Sequence, residues 1–151
     1  MIAAAAIILS REYEKNQRKR LFEFSEFARL TEHIKLKISC FLSPKSDWLS
    51  DFYSESESVR EFLSLASKSS LSESFSAVKG KLYLEDESAV FEGLFSALGK
   101  GYKEGETAML ERAEGEIFEL SKVLFPECEN NIKTVRVLSA AISLGLIILL
   151  I

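Results

Sequence analysis

Apolar residues along most of this chain recur with the period of a helix rather than that of a strand. From Leu21 onward, Phe24, Phe27, Ala28, Ile34, Ile38 and Phe41 follow one another at spacings of mostly three, four and seven, which places them on one helical stripe. A rival pattern exists locally. Ile34, Leu36, Ile38 and Cys40 alternate with Lys35, Lys37 and Ser39, as in a half-buried strand. The helix is preferred because the stripe continues through both flanks while the alternation does not. Ser43 and Pro44 then offer an N-cap and a first helical position, opening a short helix with Trp48, Leu49 and Phe52.

The middle of the chain is rich in serine, which favours caps and turns over helix interiors. Breaks are expected near Ser54 to Ser56 and near Ser69 to Ser72. Val59, Phe62, Leu63 and Ala66 form one apolar face, and Leu71, Phe75, Val78 and Leu82 the next. Asp86 is placed to cap a helix carrying Val90, Phe91, Leu94, Phe95 and Leu98, which ends at Gly99 and Gly101, where glycine tolerates left-handed geometry. A last long helix runs from about Glu106 with Met109, Ala113, Ile117, Leu120 and Leu124 on its stripe. Pro126 should kink it before it continues into the tail. The expected fold is all-α, an antiparallel bundle of about six helices whose first and last are the longest.

The two ends differ from this amphipathic middle. Residues 1–9 (MIAAAAIIL) are wholly apolar but cover about half of the roughly 20 residues a spanning helix needs. They can be read as a signal-peptide core, an interfacial helix, the remnant of a truncated membrane helix or a buried helix. Val137 to Ile151 carries no charge, and at a rise of 1.5 Å per residue it measures about 22 Å against a hydrocarbon core of about 30 Å. The expected division is an apolar segment at 1–9, a helical domain at 10–133 and a C-terminal transmembrane anchor at 134–151; a tail packed inside a soluble bundle is the competing arrangement. Arg11, Lys15, Arg18, Lys19 and Arg20 follow the first apolar run, and Lys133 and Arg136 precede the second. Positive charge flanking apolar segments marks the cytoplasmic side, so the five N-terminal cations are read as a membrane-surface basic cluster and the domain as cytoplasmic.

Composition narrows the function. With 151 residues, 47% of them hydrophobic, the chain suits a single core. A formal net charge of -4 argues against general nucleic-acid binding, which needs clustered cationic surplus. Cys40 and Cys128 lack metal-ligand spacing and are read as reduced and buried. His33 lies seven residues before Cys40, so a helix separates the pair by about 10 Å, too far for a nucleophile and its base. The glycines of LGKGYKEGET lack phosphate-loop spacing. Acidic neighbours such as Glu85, Asp86 and Glu87 read as solvated or helix-start charges. The chain is therefore read as a non-enzyme, with no catalytic, cofactor-binding or metal-binding residues to name.

The apolar start running into SREYEKNQRKR, the segment LTEHIKLKISCFLSPKSDWL, the turn LFSALGKGYKEGE and the final VRVLSAAISLGLIILLI together resemble the stage III sporulation protein AB family of endospore-forming bacteria. That family is similar to the cytoplasmic helical domain of the F-type platform proteins of type II secretion systems. The resemblance implies a component of a sporulation channel or secretion-like complex in the mother-cell membrane facing the forespore. The implied partner is a secretion-type ATPase, the stage III sporulation protein AA, with other proteins of the same complex. The family usually begins with a full apolar span, which the short start here departs from. Gly99, Lys100, Gly101 and Tyr102 are the expected partner-contact region. A tail-anchored helical scaffold or adaptor unrelated to sporulation fits the same residues.

Overall fold

The computed structural model describes residues 2–40 and 44–150. Among them are five α-helices and a single 3-10 turn: α1 (Ile2–Ser39), the turn at Lys45–Asp47, α2 (Glu57–Ala66), α3 (Leu71–Lys79), α4 (Ser88–Ala97) and α5 (Lys103–Leu150). The fold is all-α, as the periodicity requires. It has five helices rather than about six, because the segment around Trp48 does not extend into an α-helix. The Ser50 hydroxyl donates to the Asp47 carbonyl, Asp51 takes a positive φ of 63°, and the chain turns away after burying Trp48. Phe41 and the expected N-cap Ser43 lie outside the described residues.

The serine breaks fall where capping chemistry puts them. Ser56 accepts the Val59 N–H at the start of α2, and Ser70 forms a reciprocal capping box with Glu73 at the start of α3. Asp86, by contrast, does not cap α4. The N-cap position is Glu87, and it makes no side-chain capping bond because its carboxylate is turned to Arg20.

α1 and α5 are about 57 Å and 72 Å long at 1.5 Å per residue, and they run antiparallel. Lys35 meets Glu114 at 2.5 Å, Glu14 meets Arg136, and Ser139 donates to the Ala6 carbonyl at 3.4 Å. Helices α2 to α4 pack at one end of this pair and make a head. Its centre is phenylalanine: Phe27 stands 5.8 Å from Phe62, 5.5 Å from Phe75 and 5.3 Å from Phe91, ring centre to ring centre. Phe24, Leu30, Ile34 and Ile38 of α1 join Leu110, Ala113, Ile117 and Leu124 of α5 in the same core. Such burial is the main stabilising term in a helical domain.

α5 passes through Pro126 without a break. Proline removes the N–H that would bond the Lys122 carbonyl, and an exposed carbonyl can turn to water instead. The apolar tail is thus the end of α5 and not a separate element. Among the described residues no helix is long and apolar enough to cross a membrane, so the expected transmembrane anchor at 134–151 is not supported. The uncharged stretch from Val137 to Leu150 rises only about 20 Å.

Candidate functional site

Where the head ends, α1 and α5 continue as a two-helix stalk, and antiparallel pairing brings their apolar ends side by side. Among the described residues, neither end is buried within the chain. Ile8 and Leu9 of α1 are 65% and 70% exposed, and Val137, Leu138, Leu144 and Ile148 of α5 are also exposed, Ile148 by 75%. Apolar exposure clustered in this way is larger than the scattered apolar residues of an ordinary surface.

The basic cluster lies directly behind these ends, and the structure divides it. Arg11, Lys15 and Arg18 are spaced by four and three, and with Phe22 they share one exposed face of α1. Arg11 and Lys15 make no ion pair among the described residues. Lys19 donates to the Tyr83 hydroxyl at 2.9 Å, a bond that holds its pKa above the ordinary lysine value. Arg20 does not belong to the surface. It sits one heptad before Phe27, on the core stripe, and it is buried against Glu87. Its desolvation is offset by that carboxylate, so it stays charged with its pKa raised. Spacing relative to Phe24 and Phe27 would have separated Arg20 from its neighbours.

Between the two stalk helices lies a groove of about 630 Å³ bordered by Arg11 and Glu14 of α1 and by Arg136 of α5, with Ser10, Ser139 and Ser143 between them. The Glu14 carboxylate accepts from Arg136 Nε at 2.9 Å, from Arg136 Nη2, and from Arg18 Nε at 2.9 Å. These two arginines hold its pKa below the usual carboxylate range, Arg136 most strongly.

At the far end of the head, Gly99, Lys100, Gly101 and Tyr102 form the turn between α4 and α5. Gly99 has φ 86°, the left-handed conformation expected for a glycine after a helix. The Gly99 N–H donates to the Glu106 carboxylate at 2.9 Å, and Tyr102 is 93% exposed. Gly101 has no positive φ. Gly99 and Lys100 also border an open apolar groove of about 690 Å³ with Trp48, Leu49, Phe52 and Leu71. Nothing in the local sequence links these segments, which meet only through the packing of α2 and α3.

The cysteines differ: Cys128 is buried, and burial raises its pKa, whereas Cys40 is exposed at the end of α1, contrary to the expectation that both are buried. His33 packs against the turn that follows the 3-10 segment. Its Nε2 lies 2.9 Å from the Ser50 carbonyl, and its ring packs 5.3 Å from Phe52.

No protein-family model, curated protein or solved structure matches the chain.

Proposed function

We propose that this chain is a non-enzymatic, membrane-attached docking domain of the stage III sporulation protein AB type, which holds a cytoplasmic secretion-type ATPase beside the membrane components of its complex. The observation that carries the reading is the side-by-side exposure of two apolar helix ends, from α1 and α5, at one pole of an otherwise well-packed head. The reading takes these ends to embed together in the cytoplasmic leaflet of the mother-cell membrane, with the C-terminal part of α5 as the deeper anchor. The exposed cations behind them favour an anionic leaflet by about 1 kcal/mol each. The head then projects into the cytoplasm with Gly99 to Tyr102 and the Trp48 groove at its opposite pole, as the contact for the ATPase, the stage III sporulation protein AA. Tethering raises the effective concentration of such a module for other tethered partners without any new contact.

Fractionation of the full-length protein beside a version ending at Arg136, with protease accessibility scored on intact spheroplasts, tests the attachment. The full-length protein should pellet with membranes, be shielded from external protease and become soluble on truncation. Co-purification of the ATPase with the full-length protein, lost in Y102A, tests the docking role. Solubility of both forms would remove the membrane reading. Membrane attachment without ATPase capture would leave a helical adaptor unrelated to sporulation.

A further inference from the structure

We propose that the stalk groove between Arg11 and Arg136 is a binding site for the phosphate of an anionic glycerophospholipid, with an acyl chain lying along the exposed apolar residues beyond it. The proposal rests on the membrane attachment argued above and gives it a defined ligand.

Position is the first support. Arg11 stands one helical turn from Ile7, and Arg136 directly precedes the uncharged end of α5, so both guanidinium groups sit where the apolar surface gives way to polar surface. That is the level at which a lipid phosphate lies. The groove is itself two-sided in character, with Ile7, Ala140 and Leu144 on its apolar wall and Arg11, Arg136 and three serines on its polar wall.

Donor geometry is the second. Arg11 has no ion pair among the described residues and presents its whole fork. Arg136 commits Nε and Nη2 to Glu14 and leaves Nη1 for another acceptor. Two arginines from facing helices can therefore grip one phosphate with several charge-assisted bonds, the geometry for which arginine surpasses lysine. The serine hydroxyls of Ser139 and Ser143 spend their hydrogens on the Ala6 and Ser139 carbonyls, so they offer oxygens to the hydroxyls of a headgroup such as glycerol.

Glu14 is the opposing element. Its carboxylate lies in the groove, ionised and held by Arg136 and Arg18, and it repels a phosphate while pre-orienting Arg136. Arg11 and Arg136 outnumber Glu14 among the groove's charged residues, so the groove stays cationic and Glu14 weakens the site without abolishing it. Neutralising Glu14 should consequently strengthen lipid binding, an effect opposite to that of merely losing a structural ion pair.

Flotation of the full-length protein with vesicles of phosphatidylcholine alone, or with phosphatidylglycerol added, tests this. The wild type should bind both, and more tightly when phosphatidylglycerol is present. R11Q/R136Q should lose most of that preference, roughly fivefold per arginine, the equivalent of about 1 kcal/mol each. K15Q/K133Q removes the same charge from the same two helices outside the groove and should lose clearly less. E14Q should gain anionic preference beyond E12Q, which removes an equal charge from a position outside the groove. Equal losses in the two paired variants, or no gain in E14Q over E12Q, overturn the groove while leaving membrane attachment intact. Binding to neither vesicle overturns both readings. Release from phosphatidylglycerol vesicles by inorganic phosphate, at an ionic strength held constant with chloride, would make free phosphate the occupant and overturn the lipid assignment.

Discussion

Arg20 on α1 and Glu87 at the start of α4 form a buried, two-bonded ion pair, with Arg20 Nε 3.3 Å from one carboxylate oxygen and Nη2 2.5 Å from the other. The pair ties the first long helix to the short-helix layer. The same carboxylate also accepts the Glu85 N–H at 3.0 Å, so it orders the turn that launches α4. Glu85 adds a second, solvent-exposed carboxylate 3.4 Å from Arg20.

Removing one partner of such a pair strands the other away from water. R20M should lower unfolding free energy by about 3 kcal/mol, whereas R20M/E87M, which leaves no stranded charge, should lie within about 1 kcal/mol of the wild type. Urea denaturation of the two variants and the parent measures the difference. Equal destabilisation in both would mean that the pair acts through side-chain shape and not through charge.

Stability should fall on acidification in a defined window. Burial pushes the Glu87 carboxyl upward, but its bonds to Arg20 and to backbone N–H groups outweigh that and hold it below its usual range; Glu14 is lowered by Arg136 and Arg18. A depressed folded-state pKa contributes stability that is complete above the unfolded value near 4.5 and is lost as pH falls through the lower folded value. Melting temperature should hold between neutrality and about pH 5 and then drop. E87Q should start lower and drop less, which thermal melts across the acid range will show.

At the α4–α5 turn, backbone geometry separates two glycines. G99A forces a side chain into φ 86° and should cost about 1–2 kcal/mol. G101A places its Cβ 3.8 Å from Glu106 Cγ, an ordinary contact, and should change stability by less than about 0.5 kcal/mol. Matched denaturation midpoints for the two would refute the left-handed assignment of Gly99.

Within the stalk interface, Gln17 is buried and its Oε1 has no hydrogen-bond partner among the described residues. An unsatisfied buried amide costs about 1 kcal/mol or more. Q17M keeps the shape and removes the polar group, so it should raise the urea midpoint. A lower midpoint would show that the amide makes a bond worth more than its desolvation.

Much of the head was legible because its apolar residues keep the helical period. Phe62, Phe75, Phe91 and Leu124 are each in the core that their spacing assigns them to. Serine caps located the breaks before α2 and α3 because a cap bond is made within a few residues. The segment at Trp48 carries a helix's signature in sequence, a Ser-Pro start and three apolar residues, none of which reveals that Asp51 turns left-handed. Arg20 belongs with the basic cluster in sequence but not in space, because neighbours in sequence point to different sides of a helix and its partner is 67 residues away. Free cysteine is usually buried, yet Cys40 is exposed because it lies past the last core residue of α1.

The chain's own residue pattern is sufficient for what is local: helix class, most boundaries, the faces that must be buried, and apolar ends flanked by cations. These follow from periodicity and from bonds spanning three or four residues. Tertiary structure decided what those ends and charges become. Antiparallel pairing of α1 with α5 sets two short apolar runs, each too small to cross a bilayer alone, side by side at one pole. It also brings Arg136 to Glu14 and Arg11 across 122 and 125 residues of chain, and the packing of α2 and α3 sets Trp48 beside Gly99. Such meetings depend on which buried faces match across the whole core, a condition that no local pattern encodes.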